Sequence, residues 1–73
     1  MITMNKINQK INPGGWIKCA DLMPTVNKVV ETKIDTKIGV RNFAELVFSS
    51  GLWWFPDKSM YVYYKPTHWR EVN

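Results

Sequence analysis

A single cysteine and a single histidine stand in this 73-residue chain, and that scarcity removes several functions at once. One thiol closes no internal disulfide, and Cys19 with His68 falls short of the three or four ligands that a zinc site takes. Neither a metal nor another cofactor is expected. Long apolar runs are lacking too: nothing approaches the roughly 18 consecutive apolar residues of a membrane span, and the opening Met1-Ile2-Thr3-Met4-Asn5-Lys6 has no apolar stretch after its charge. The expectation is a protein of the cytoplasm that engages no membrane, which suits a lone thiol. Acidic residues are few, six against ten Lys and Arg, for a net charge of +4. A protein that blocks a DNA-binding enzyme by imitating DNA needs a strongly acidic surface, so that class is set aside.

Catalytic signatures are equally sparse. There is no phosphate-cradling glycine loop, no nucleophile elbow and no spacing that would bring two of the six acids together as an acid and a base, so no enzyme is expected. Cys19 and His68 could in principle serve as thiol and base, but no third residue to orient them is identifiable. Cys19 therefore reads as a packing residue and His68 as a residue that hydrogen-bonds the backbone where the chain closes.

What the chain does have is aromatic residues: four Trp, three Tyr and three Phe. Each buried ring removes about 150–250 Å² from water, and a chain this short, which buries only about 60% of its unfolded surface, depends on them for a core. Association of two copies is a second source of burial.

Residues 1–15 are polar, rich in Asn and Lys, and end at Pro13-Gly14-Gly15, which reads as a flexible N-terminal arm; 16–73 follow without a second linker and read as one small β-rich domain. Its periodicity is mostly two. From Val26 to Asp35 the chain alternates, with Val26, Val30, Thr32 and Ile34 on one face and Glu31 and Lys33 opposite. A turn over Asp35 to Gly39 leads to Val40 to Phe48, where Val40, Ala44, Leu46 and Phe48 share a side and Arg41 and Glu45 take the other; Asn42 to Val47 also fits a helical turn. Ser49-Ser50-Gly51 breaks the pattern, Leu52 to Phe55 is a short aromatic strand, and Pro56-Asp57-Lys58 turns it into Met60 to Tyr64 as a second hairpin. Asp21-Leu22-Met23-Pro24 reads as a short helical turn near residues 20–24 that proline stops. The expected fold is mainly β, with at most a small α+β element: a compact antiparallel β-meander of about four strands.

Trp16-Ile17-Lys18-Cys19 with Pro24 downstream, then the alternating strand, then Phe48, Gly51 and Trp53, and finally Thr67-His68-Trp69, resemble the phage and prophage family of unknown function whose members open with Trp-Ile and close with His-Trp. The resemblance covers Trp16 to Val72. It implies a small phage-encoded accessory protein, and no particular chemistry. Within it, Trp16, Trp53, His68 and Trp69 are expected to form the core and a clasp that docks the C-terminus against Trp16.

Trp53 and Trp54 are adjacent, so on a strand they point to opposite faces. With Trp53 inward, Trp54 joins Tyr61 and Tyr63 in an exposed aromatic strip edged by Lys58 and Lys65, with Arg41 and Arg70 as further cations for a partner. Aromatic anchors with nearby Arg suit a protein interface, and in the phage setting the expected partner is a host protein, plausibly a defence nuclease complex blocked stoichiometrically in the manner of an anti-CRISPR. Stacking rings beside cations also suit single-stranded nucleic acid, although the basic residues form no continuous track. A third reading is an oligomer that sequesters an anionic nucleotide signal between subunits.

Overall fold

A computed structural model describes residues 15–72, and the expected arm lies outside the described residues apart from Gly15. The domain is all-β: β1 (Ile17–Lys18), β2 (Val30–Thr36), β3 (Gly39–Ser49), β4 (Leu52–Trp54) and β5 (His68–Glu71) form one five-stranded antiparallel sheet in the order β1-β5-β2-β3-β4. Strands β2, β3 and β4 make the meander expected from the alternation. The chain then returns over 55–67 to lay β5 beside β2, which is the Greek-key arrangement, and β1 pairs on the far side of β5.

Two tight turns set the meander's register. Lys37 and Ile38 link Thr36 to its partner Gly39, and Ser50 and Gly51 link Ser49 to its partner Leu52. Ser50 (φ 54°) and Gly51 (φ 78°) are both left-handed, the type I′ geometry whose twist matches that of the flanking strands. Gly51→Ala is accordingly expected to cost about 1 kcal/mol, and Ser50→Asn, which creates the favoured Asn-Gly pair, to raise the thermal midpoint. Paired melts of the two variants read both signs.

One face of the sheet carries the core. Ile17, Val30, Leu46, Trp53 and Trp69 are buried together, and Cys19, Ala44, Phe48, Phe55 and Val62 pack against them. The segments before β2 (19–29) and after β4 (55–67) provide the cover, since among the described residues the sheet has no second layer. Trp69 ties one of them down by donating its indole N–H to the Leu22 carbonyl at 2.7 Å, and Asn27 secures the same loop by donating its N–H to the Phe48 carbonyl at 2.9 Å. Thr32, almost wholly buried, satisfies its hydroxyl on the Ala44 carbonyl at 2.8 Å.

Several local expectations are corrected. Val26 lies in a turn closed by Lys28 N–H to the Thr25 carbonyl and is exposed, so β2 starts at Val30. Residues 18–22 form one hydrogen-bonded turn, with Asp21 and Leu22 N–H both donating to the Lys18 carbonyl, and no helix occurs among the described residues. The second hairpin shrinks to a single bridge, Trp54 to Tyr61, because Lys58 in the left-handed region (φ 60°) and bends at Tyr63 and Tyr64 keep Met60 to Tyr64 from running as a strand.

The largest correction concerns β3. Thr32 pairs with Ala44 but Ile34 with Arg41, so two β3 residues oppose Lys33, and Asn42 (φ 59°) forms the resulting bulge. Cross-strand partners share a face. The bulge therefore puts Arg41 on the Ile34 side and Val40 with Asp35 on the other, the reverse of strict alternation through Ala44. It also breaks the free edge that β3 presents along 39–46, where β4 does not reach, and so blunts that edge against pairing with another strand.

Candidate aromatic interface on the outer face

The register defines what the face opposite the core displays. Trp54 pairs with Val47, two residues from Glu45; Glu45 pairs with Glu31, and Glu31 with Arg70. All five stand on the outer face. At its β4 end, Trp54 packs edge-to-face on Tyr61 (5.3 Å between ring centroids), and Tyr61 edge-to-face on Tyr63 (5.6 Å). Edge-to-face geometry is among the favoured arrangements for aromatic pairs. Trp54 is fixed from behind by its indole N–H donating to the Ser49 carbonyl at 3.0 Å, and the neighbouring Val47 is only 2% exposed. Tyr63, at the other end of the ladder, is 89% exposed. The ladder is thus anchored at Trp54 and open at Tyr63.

Of the cations expected around this strip, Lys58 and Lys65 adjoin it in sequence. Lys58 donates its ammonium to Asn27 Oδ1 at 2.6 Å, beside the turn closed by Lys58 N–H to the Phe55 carbonyl, and Lys65 is exposed directly after Tyr64. The adjacent Asp57 accepts Ser59 N–H at 2.9 Å, and that bond holds its carboxyl below the ordinary range. Arg41 and Arg70 are elsewhere. Arg41 bonds Thr36 Oγ1 and the Gly39 carbonyl at the tip of the β2/β3 hairpin. Arg70, on β5, pairs with Glu31 of β2 and lies three strands and roughly 14 Å from β4.

The expected clasp divides between the two faces. Trp53 and Trp69 are 5% and 4% exposed in the core, but Trp16 is only half-buried and stands on the outer face. There Lys33 Nζ and the Arg70 guanidinium lie 4.4 and 4.3 Å from the centre of its ring, and Phe43 meets it edge-on. The correction has a simple cause: Ile17 pairs with Trp69 on the core side, so Trp16, one residue away, faces outward. His68 has Lys18 and Lys33 as its cross-strand partners, also on the outer face, while its Nδ1 is 2.7 Å from Thr67 Oγ1. Cys19 packs on the core side, so thiol and imidazole stand on opposite sides of the sheet and do not form a nucleophile and base. Burial pushes the Cys19 thiol above its ordinary pKa, only partly offset by a backbone hydrogen bond. Iodoacetamide at neutral pH should therefore alkylate Cys19 much more slowly in the folded protein than in the denatured chain.

Among the described strand residues, charge on the outer sheet face balances. Lys18, Lys33 and Arg70 are matched by Glu31, Asp35 and Glu45, with Lys33 bound to Asp35 at 3.1 Å and Arg70 to Glu31. Phe43, at 65% exposure, also belongs to this face, because it adjoins Ala44 on the core side and so points outward toward Trp16. Among the described residues no three Cys, His, Asp or Glu side chains gather as metal ligands, and no helix is long and apolar enough to cross a membrane. Comparison with known protein families, with curated proteins and with solved structures finds no match to this chain.

Proposed function

We propose that this protein is a non-enzymatic binding module that docks a partner protein on the Trp54, Tyr61 and Tyr63 ladder. The observation that carries the reading is the ladder itself: three contiguous rings, anchored at one end and exposed at the other, on a sheet face that no second layer covers among the described residues. Exposed contiguous apolar surface of this kind marks interaction sites, and Trp and Tyr are the favoured anchors. The basic residues next to the ladder in sequence, Lys58 and Lys65, form no continuous track, which supports a protein over nucleic acid, whose affinity comes mainly from cations neutralising phosphates. Trp16 supports the same choice, since two cations already lie over its ring. In the phage setting that the Trp-Ile and His-Trp motifs imply, the partner is a host protein and occupancy of its surface is the means of inhibition, as for an anti-CRISPR.

Tyr63 is the residue with which to test this, because its exposure lets it be truncated at little cost to the fold. A Tyr61→Lys/Tyr63→Ala double variant should keep its far-UV circular dichroism and lose partner binding by at least tenfold. Undiminished binding by the folded double variant would show that the ladder is not the interface.

A further inference from the structure

The β2/β3 hairpin runs past its neighbours in the sheet. β5 pairs with β2 only over Val30 to Lys33, β4 pairs with β3 only over Val47 to Ser49, and the last tie on the β5 side is Asp35 N–H to the Thr67 hydroxyl at 2.8 Å. Beyond that tie the hairpin is a two-stranded ribbon, and Thr36 to Phe43 are all exposed. Ile38 stands in its turn at 85% exposure, and Val40 and Phe43 follow on β3. A two-stranded hairpin is marginal on its own in water, and apolar side chains gathered on one point to a partner.

The ribbon's cations lack a counter-charge. Arg41 Nη1 donates to Thr36 Oγ1 at 3.2 Å and to the Gly39 carbonyl at 3.1 Å, both neutral acceptors. The guanidinium is thereby braced at the tip, with Nε–H and the Nη2 N–H groups left to donate elsewhere. Asp35, the nearest carboxylate in sequence, is bound to Lys33 at 3.1 Å and stands with Val40 on the other side of the ribbon. Among the described residues neither Arg41 nor Lys37 is ion-paired with a carboxylate. A guanidinium held with one edge free is suited to a carboxylate, which it takes through two parallel hydrogen bonds.

We propose that the ribbon is a second anchor for the partner protein and enters a cleft that is apolar toward Ile38, Val40 and Phe43 and presents a carboxylate to Arg41. Val40 and Phe43 stand on the outer face and Arg41 on the other, so an occupant that touches both must enclose the ribbon. Side chains carry the recognition, because the Asn42 bulge interrupts the edge along which a strand would add. The ribbon and the ladder belong to one footprint: Val40, Phe43 and Trp54 share the outer face, and Val40 lies roughly 22 Å along β3 from Val47, the partner of Trp54, within the reach of one interface of standard size. The proposal rests on the protein-docking reading above and names the partner's chemistry at a second point of contact.

The test uses the full chain as bait in nuclease-treated cell extract, with Arg41→Glu, Arg41→Lys and Ile38→Asp beside wild type and the Tyr61→Lys/Tyr63→Ala variant, each of verified fold. A carbodiimide, which joins amines to carboxylates without a spacer, maps the contact at Lys37. The protein retained by wild type should fall at least tenfold with Arg41→Glu and with Ile38→Asp and several-fold with Arg41→Lys, and its Asp or Glu side chains should crosslink to Lys37. Undiminished retention by Arg41→Glu, or a retained protein with no crosslink at Lys37, overturns the proposal. If either result comes while the Tyr61→Lys/Tyr63→Ala variant has lost the protein, the ladder remains an interface and only the ribbon contact is wrong. Wild type retaining nothing overturns both readings, and Arg41-dependent sedimentation with phosphatidylserine vesicles would then give the tip to a lipid surface instead.

Discussion

Trp69→Ala should cost about 3–5 kcal/mol, a large share of the domain's stability, whereas Trp16→Ala should cost only about 1–2 kcal/mol. Trp69 is 4% exposed at the centre of the sheet, between Ile17 on β1 and Thr32 on β2, and its indole N–H holds the 18–24 loop through the Leu22 carbonyl. Truncating a buried Trp costs about 3–5 kcal/mol, from lost transfer free energy and from the cavity left behind. A 73-residue domain has roughly 4–11 kcal/mol in all. Trp16, by contrast, contributes cation-π and edge contacts at a half-exposed site, each worth about 0.5–1 kcal/mol. Urea titrations followed by far-UV circular dichroism separate the two, and equal losses would mean that Trp16 belongs to the core after all.

The second large effect is at Thr67, which ties three segments together. Its N–H donates to the Lys33 carbonyl at 2.9 Å, and its carbonyl accepts from Cys19 N–H at 2.9 Å. Its hydroxyl accepts from Asp35 N–H at 2.8 Å while lying 2.7 Å from His68 Nδ1. These bonds join the end of β1 and the middle of β2 to the start of β5, where the sheet depends on contacts between residues far apart in sequence. Thr67→Val keeps the branched shape but leaves Asp35 N–H without its acceptor and sets a methyl against the imidazole, at an expected cost of about 1–3 kcal/mol. Thr67→Ser restores the oxygen and should recover most of the loss. A serine variant as unstable as the valine variant would assign the effect to packing of the Thr methyl instead.

These two residues also show where sequence reasoning reaches its limit. The β2/β3 hairpin is legible because Val30, Thr32, Ala44 and Leu46 alternate with polar residues, and a sheet buried on one face imposes that period directly. The opposed orientations of Trp53 and Trp54 follow from adjacency on a strand, and the Trp54, Tyr61 and Tyr63 strip follows from them. The Asn42 bulge is not legible. One extra residue reverses Arg41 and Val40, and its only mark is an Asn, a residue that tolerates positive φ but often does without it. The two-residue strand β1 is too short to show any period, so although the C-terminal segment is expected to dock against Trp16 and pairs beside it, neither the register of that pairing nor the outward turn of Trp16 could be derived. The flanking cations divide for the same reason: Lys58 and Lys65 are local to the strip in sequence, while the positions of Arg41 and Arg70 depend on a bulge and on a long-range pairing.

The ladder's anchored and exposed ends also assign different work to its rings. Trp54 supports the outer face through its bond to Ser49, so truncating it disturbs fold and surface together, whereas Tyr63 has almost nothing but solvent to lose. Substitution at Tyr63 therefore separates recognition from stability. The most direct test of the protein-docking account is quantitative capture from cell extract with and without nuclease treatment, with wild type and the Tyr61→Lys/Tyr63→Ala variant as parallel baits of verified fold. The account predicts one host protein retained in a fixed ratio by wild type and lost from the variant. Equal retention on both baits, or retention that disappears with nuclease or moderate salt, would contradict it, and the latter result would make the ladder a stacking surface for nucleic acid.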